Sequence, residues 1–153
     1  MDLVRNACNE RIYPVGRLDK NTTGLLLFTN DGELTKQLTH PKYEKLKVYH
    51  AFLDKSLDEE HIKVLLDGIE LEDGFIKADN LNYTSAENKN EVGIELHSGK
   101  NRIVRRMFEH LGYKVTKLDR VYFAGLTKKN LPRGRWRHLT PREIAMLKMK
   151  AYK

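Results

Sequence analysis

Gly16-Arg17-Leu18-Asp19, followed by the polar run Lys20 to Thr23, sets a carboxylate two residues after a guanidinium and just ahead of the apolar residues Leu25 to Phe28. A carboxylate on a loop at the mouth of a strand can be aimed by a rigid scaffold, and Gly24 permits the close backbone approach of a crowded site. Equally, Asp19 could cap the Asn-Thr-Thr turn that follows it. A second cluster is "HSGKNRIVRRMFEHLG", residues 97 to 112. With Ile103, Val104, Met107 and Phe108 on the core side of a helix, Arg102, Arg105, Arg106 and Glu109 lie toward the other side, and residues 98 to 101 form the entrance. A helix N-terminus carries unpaired N–H groups and partial positive charge, so with Lys100 and Arg102 it suits a phosphate. The competing reading is a solvated basic face with Glu109 paired to Arg105 or Arg106. A third patch interleaves Arg133, Arg135 and Arg137 with Trp136. In a strand, Arg135 and Arg137 would share one face and touch a phosphate backbone while the indole packs in the core.

The chain has 153 residues, 40% hydrophobic and 32% charged, which fits one domain with a core. Its 28 Lys and Arg against 21 acids give a net charge of +7, so a polyanion, nucleic acid first, is the expected partner. The six His show no paired metal spacing, and neither a carboxylate cluster nor a glycine-rich phosphate loop occurs. No metal and no nucleotide cofactor are expected. One cysteine, Cys8, rules out an internal disulfide, and the opening residues lack a signal-peptide pattern, so a cytoplasmic protein is expected. No apolar stretch has the length of a membrane-spanning helix.

The elements that must position these residues follow from periodicity. "GLLLFT", residues 24 to 29, reads as one buried strand, and Asp31 caps a helix over 32 to 39 that Pro41 closes. A strand over 46 to 55 leads to a helix with a capping box from Ser56 to Glu59 and a stripe of Ile62, Leu65 and Leu66. Asp73-Gly74 signals a hairpin, residues 91 to 98 a further strand, and 101 to 111 a helix stopped by Gly112. Extended runs over 113 to 123 and 135 to 139 precede a last helix with Thr140 as N-cap, Pro141 and Glu143. The expected class is α+β, a mixed, largely antiparallel sheet with helices packed on it.

"GRLDKNTTGLLLFTNDGEL", "GKNRIVRRMFEHLG" and "LPRGRWRHLTPREI", in that order over residues 12 to 147, closely resemble the catalytic domain of bacterial ribosomal RNA pseudouridine synthases of the RsuA/RluB/RluE/RluF type. The resemblance implies the pseudouridine synthase fold and isomerisation of uridine to pseudouridine in RNA without a cofactor. It implies Asp19 as nucleophile, Arg105 as its partner, and Tyr49, in "KVYHAFL", as the tyrosine that stacks on the target base; the residues alone read Tyr49 as a core strand residue. A flipped uracil needs a pocket with basic walls, to which Arg17, Lys100, Arg102 and Arg106 are suited, with Arg135 and Arg137 as further RNA contacts. Ribosomal RNA is the implied partner, with 23S favoured over 16S. A non-catalytic rRNA-binding module is the alternative, as is a base-excising glycosylase, which would release free uracil. Family members commonly begin with an S4 domain and a strand bearing Lys-Pro. Neither is seen here, so residues 1 to 153 are expected to be a catalytic domain truncated at its N-terminus, with a sheet edge open to dimerisation. Position 103 is Ile where the family commonly has Gln.

Overall fold

The structure, a computed structural model, describes residues 4–16, 18–40, 45–98, 100 and 102–149. Its centre is β4 (Lys47–Leu53), an aromatic and branched strand paired antiparallel with β8 (Glu91–Leu96) on one side and β9 (Val115–Phe123) on the other. β7 (Asn80–Tyr83) extends the sheet beyond β8, and β10 (Leu126–Thr127) folds back on β9. β2 (Thr22–Gly24) also joins β9, and this pairing is parallel. The class is α+β with a mixed, mainly antiparallel sheet, as the sequence predicts. In β8, Val92, Ile94 and Leu96 are fully buried while Glu91, Gly93 and Glu95 are not, the period-two pattern of a strand with one face on the core.

Two helices cover that face. α2 (Glu59–Asp67) contributes Leu65 and α3 (Ile103–His110) contributes Ile103, Val104, Met107 and Phe108 to one cluster with Ala51, Leu53, Leu81 and Leu118. α3 ends in Leu111 and Gly112, whose φ of +88° allows the Gly112 and Tyr113 N–H groups to donate back to the Glu109 and Phe108 carbonyls. A second cluster joins Leu27, Phe123 and Leu126 to Leu34 and Leu38 of α1 (Gly32–Thr39) and Leu147 of α4 (Pro141–Lys148). Asp31 caps α1 by accepting from Leu34 N–H, and Thr140 and Glu143 form the capping box of α4, both as predicted. The closing role expected of Pro41 lies outside the described residues.

Several expectations need correction. The run 24 to 29 is not one strand: it divides between β2 and β3 (Phe28–Thr29), and β3 pairs with β1 (Tyr13–Pro14). Arg120 is the cause. Its Nε and Nη2 both donate to the Leu25 carbonyl, at 3.0 and 2.7 Å, so that carbonyl is taken by a side chain instead of a neighbouring strand. The predicted capping box at Ser56 does not form, because Asp58 is the N-cap of α2 and lacks a side-chain cap bond. Leu57, 2% exposed, is held ahead of the helix by its N–H to the Lys89 carbonyl and by Tyr83 Oη, which donates to its carbonyl. The hairpin signal falls one residue off, for Leu71 of β5 (Ile69–Leu71) pairs with Gly74 of β6 (Gly74–Ile76), leaving Glu72-Asp73 as the turn. Residues 135 to 139 form no strand, and Trp136 is 40% exposed instead of core.

Candidate active site

Asp19 sits in the turn that leads into β2, where its carbonyl accepts the Thr22 N–H at 2.8 Å. The turn is thus closed by backbone, and the carboxylate is left to other partners. Parallel pairing of Thr22 with Leu118 and of Gly24 with Arg120 fixes this segment against β9. Gly24 has a φ of +121°, and a Cβ there would lie 2.3 Å from the Arg120 carbonyl oxygen, so the close approach anticipated from the sequence is real.

Two guanidinium groups meet the Asp19 carboxylate. Arg102 Nη1 donates to Oδ2, and Arg105 Nε lies 3.9 Å from the same oxygen. Their surroundings differ. The Arg102 side chain is 40% exposed, on a backbone of φ +52° that serves as N-cap of α3. Arg105 is buried, contrary to the outer face predicted for it. Its Nη1 donates to the Val115 carbonyl at 3.0 Å and its Nη2 to the Asn21 carbonyl at 2.6 Å, while Nε is buried with no hydrogen bond. These two carbonyls fix the guanidinium plane through both terminal nitrogens, leaving Nε on the side of the carboxylate.

The carboxylate opens on a cleft of about 430 Å³ whose walls include Thr22, Tyr49, Lys100, Arg102, Arg105 and Arg120. Tyr49 of β4 stands directly across from Arg120 of β9, at a register shift between Val48 and Tyr49. Burial pushes the Tyr49 phenol above its ordinary range, opposed by the charge and hydrogen bond of Arg120. Burial likewise pulls Arg120 down, opposed by Tyr49. Arg120 is 5% exposed and its guanidinium also lies 4.6 Å from the Phe123 ring centroid. Sequence reasoning missed Arg120. Its signal was its parity in 115 to 123, where it shares a face with the buried Leu118 and so places a charge toward the interior.

The other predicted residues separate. Lys100 lines the cleft, but its Nζ donates to the Asp73 carbonyl at 2.6 Å. Arg106 Nη1 bonds the Asp73 carboxylate at 2.9 Å, which lowers that carboxyl below its usual range. Asp73, in the β5–β6 turn, therefore draws two of the predicted phosphate contacts toward the hairpin. Arg135 and Arg137 line a different cleft, and Arg137 forms a bidentate pair with Glu143, at 2.7 and 2.8 Å. Arg17 and Asn101 lie outside the described residues. Among the described residues no group of three His, Cys, Asp or Glu side chains is placed to hold a metal ion, and no helix is long and apolar enough to cross a membrane.

The Asp19 carboxylate thus lies between a fixed and an exposed guanidinium, beside a half-buried tyrosine in a basic cleft. The chain belongs to the RNA pseudouridylate synthase family, whose pattern matches residues 1–110. It is 43% identical over 139 residues to an RNA pseudouridine synthase of Aquifex aeolicus, covering 90% of this chain and 56% of that protein. It is 44% identical over 142 residues to ribosomal large subunit pseudouridine synthase B of Bacillus subtilis, covering 91% of this chain and 58% of that one. This chain thus spans little more than half the length of these relatives. A crystal structure of a pseudouridylate synthase superposes with a TM-score of 0.80 at 31% identity, over 89% of this chain and 59% of that one. The fold is that of the pseudouridine synthases.

Proposed function

We propose that this domain isomerises a specific uridine of ribosomal RNA to pseudouridine, with Asp19 as the nucleophile and no cofactor. The observation that carries the reading is the Asp19 carboxylate on its loop, facing buried Arg105 and opening on the cleft that Tyr49 lines. The similarity to a large-subunit enzyme favours 23S over 16S RNA as substrate. In the reaction the N1–C1′ glycosidic bond breaks, the uracil turns in the cleft, and a C5–C1′ bond forms. The C5 proton passes to water and N1 takes up a proton, so the product is an isomer of the substrate.

Each residue has a part in that sequence. Arg105, locked by two main-chain carbonyls, fixes the direction of the Asp19 carboxylate. Tyr49 offers its ring to the extruded uracil, with Arg120 holding the phenol. Arg102, exposed at the rim, exchanges between Asp19 and an RNA phosphate, and Lys100, Arg106, Arg135 and Arg137 with Arg17 supply charge to the flanking strand. The reaction takes place in the cytoplasm, where ribosomal RNA is available.

The test is nucleoside analysis of separately transcribed 23S and 16S RNA after incubation with the chain. Pseudouridine in 23S RNA without free uracil supports the reading. Free uracil would identify a glycosylase, and unchanged RNA that remains bound would identify a binding module.

A further inference from the structure

The Asp19 segment separates two clefts. Thr22, Leu118 and Arg120 line the first, whereas Thr23, Lys117 and Asp119, their alternate neighbours on the same strands, line the second. Leu18 lines both. The second cleft is therefore on the other face of the sheet, reached around the short strand β2. Its volume is about 520 Å³.

Leu25 to Phe28 line it together with Leu126, Leu139 and Trp136. Trp136 is the chain's single tryptophan and is 40% exposed. Its ring meets His138 edge-to-face, with centroids 5.3 Å apart and planes at 89°. An indole is costly to leave in water, and exposed aromatic side chains concentrate at binding surfaces. Arg133 and Arg135 also line this cleft, both exposed, and neither has an ion-pair partner among the described residues. Of the neighbouring cations, Lys128 is paired with Asp119 and Arg137 with Glu143. An aromatic face beside two uncommitted guanidinium groups suits one kind of occupant, a base stacked on the ring with its phosphates on the arginines.

We infer that Trp136, with Arg133 and Arg135, forms a second nucleotide subsite that takes an unstacked base flanking the target uridine on the same RNA strand. The inference rests on the RNA reading above and deepens it: the substrate is a locally single-stranded segment that wraps the side of β2 away from β9, with one base in each cleft. Charge complementarity and continuity through Leu18 favour RNA over a protein segment. Base–aromatic stacking has a size that an experiment resolves, since truncating the ring weakens binding about 5- to 150-fold.

The lone tryptophan reports on its own site, so the first measurement needs no variant. The full chain is titrated with a single-stranded RNA oligonucleotide containing uridine, and with the same oligonucleotide carrying abasic riboses on either side of that uridine. Tryptophan emission quenched by the first RNA but not by the abasic one, with weaker binding of the abasic one by that factor, is the expected result. Trp136→Ala should raise KM for the base-bearing RNA, with Trp136→Phe partly restoring it. Equal quenching and equal affinity for the two RNAs would overturn the subsite. So would emission that shifts with protein concentration and not with RNA, which would assign the cleft to a second copy of the chain. Tritium release from 5-tritiated uridine in the same samples separates the two readings. Release without base-dependent quenching overturns the subsite alone, base-dependent quenching without release upholds it and overturns the isomerase reading, and no RNA binding overturns both.

Discussion

The two clefts share strands and differ in how their charges are held. On the Asp19 side the cationic groups Arg105 and Arg120 are buried and tied to main-chain carbonyls of residues 21, 25 and 115. On the Trp136 side the arginines stand on a loop without regular structure, and Arg137 alone is anchored, to Glu143 of α4. A carboxylate that must attack one atom needs fixed neighbours, whereas a surface that receives a flanking strand needs reach. On the proposed reading, the reacting geometry is held by groups fixed against the sheet, and recognition by exposed groups on the loop.

The comparison can be broken most sharply at Arg105. Arg105→Leu strands the Val115 and Asn21 carbonyls and removes the fixed partner of Asp19, so we expect a loss of about 3 kcal/mol, read from urea unfolding at unchanged slope. A loss below about 1 kcal/mol would mean that the buried guanidinium does not organise the site. Next comes Arg120→Leu, which frees the Leu25 carbonyl and should cost about 2 kcal/mol. It also removes the charge that opposes the rise of Tyr49, so spectrophotometric titration should find Tyr49 ionising at still higher pH. The linkage has a definite sign. Because the folded Tyr49 phenol lies above the ordinary value of 10.0, its contribution to stability is complete below that pH and is lost as pH rises beyond it, a loss that Tyr49→Phe should remove.

Smaller effects belong to the exposed pairs. Arg102→Ala should cost under about 1 kcal/mol of stability, yet weaken RNA binding and reduce its salt slope by about one. Smallest is Glu143, which Arg137 and the Thr140 backbone N–H hold at about 2 against an ordinary 4.5. Its contribution is present above 4.5 and lost as pH falls toward 2, under about 1 kcal/mol in all for so accessible a pair. Hydrogen exchange should show the first turn of α4 fraying in that window in the native chain and at every pH in Glu143→Ala, which removes the acceptor.

Legibility in the sequence follows the same division. The helical stripe of residues 103 to 108, the caps at Asp31 and Thr140, and the alternation in 91 to 96 are local patterns with one physical solution, and the structure has them. Asp19 was readable as a loop residue ahead of a strand, although the run Lys20 to Thr23, which reads as turn, ends in β2 at Thr22 and Thr23. What failed depends on distant partners. The strand break after Gly24 is made by Arg120, 95 residues away from Leu25. Burial of Arg105 depends on carbonyls of residues 21 and 115, and its helix position alone suggested the outer face. Lys100 and Arg106 turn toward a hairpin whose Asp73 no helical spacing could bring to them. Trp136 read as core because its composition and its alternation with arginines suggested a strand, which a loop containing Pro132 and Gly134 does not form.

The most direct test of the central claim is tritium release from ribosomal RNA carrying 5-tritiated uridine, comparing the wild-type chain with Asp19→Asn. The substitution keeps the shape of the side chain and removes its charge. We predict release by the wild type and a fall on the order of 10⁴-fold or more in the variant, with RNA affinity retained. Equal release by the two proteins would contradict a carboxylate nucleophile at Asp19.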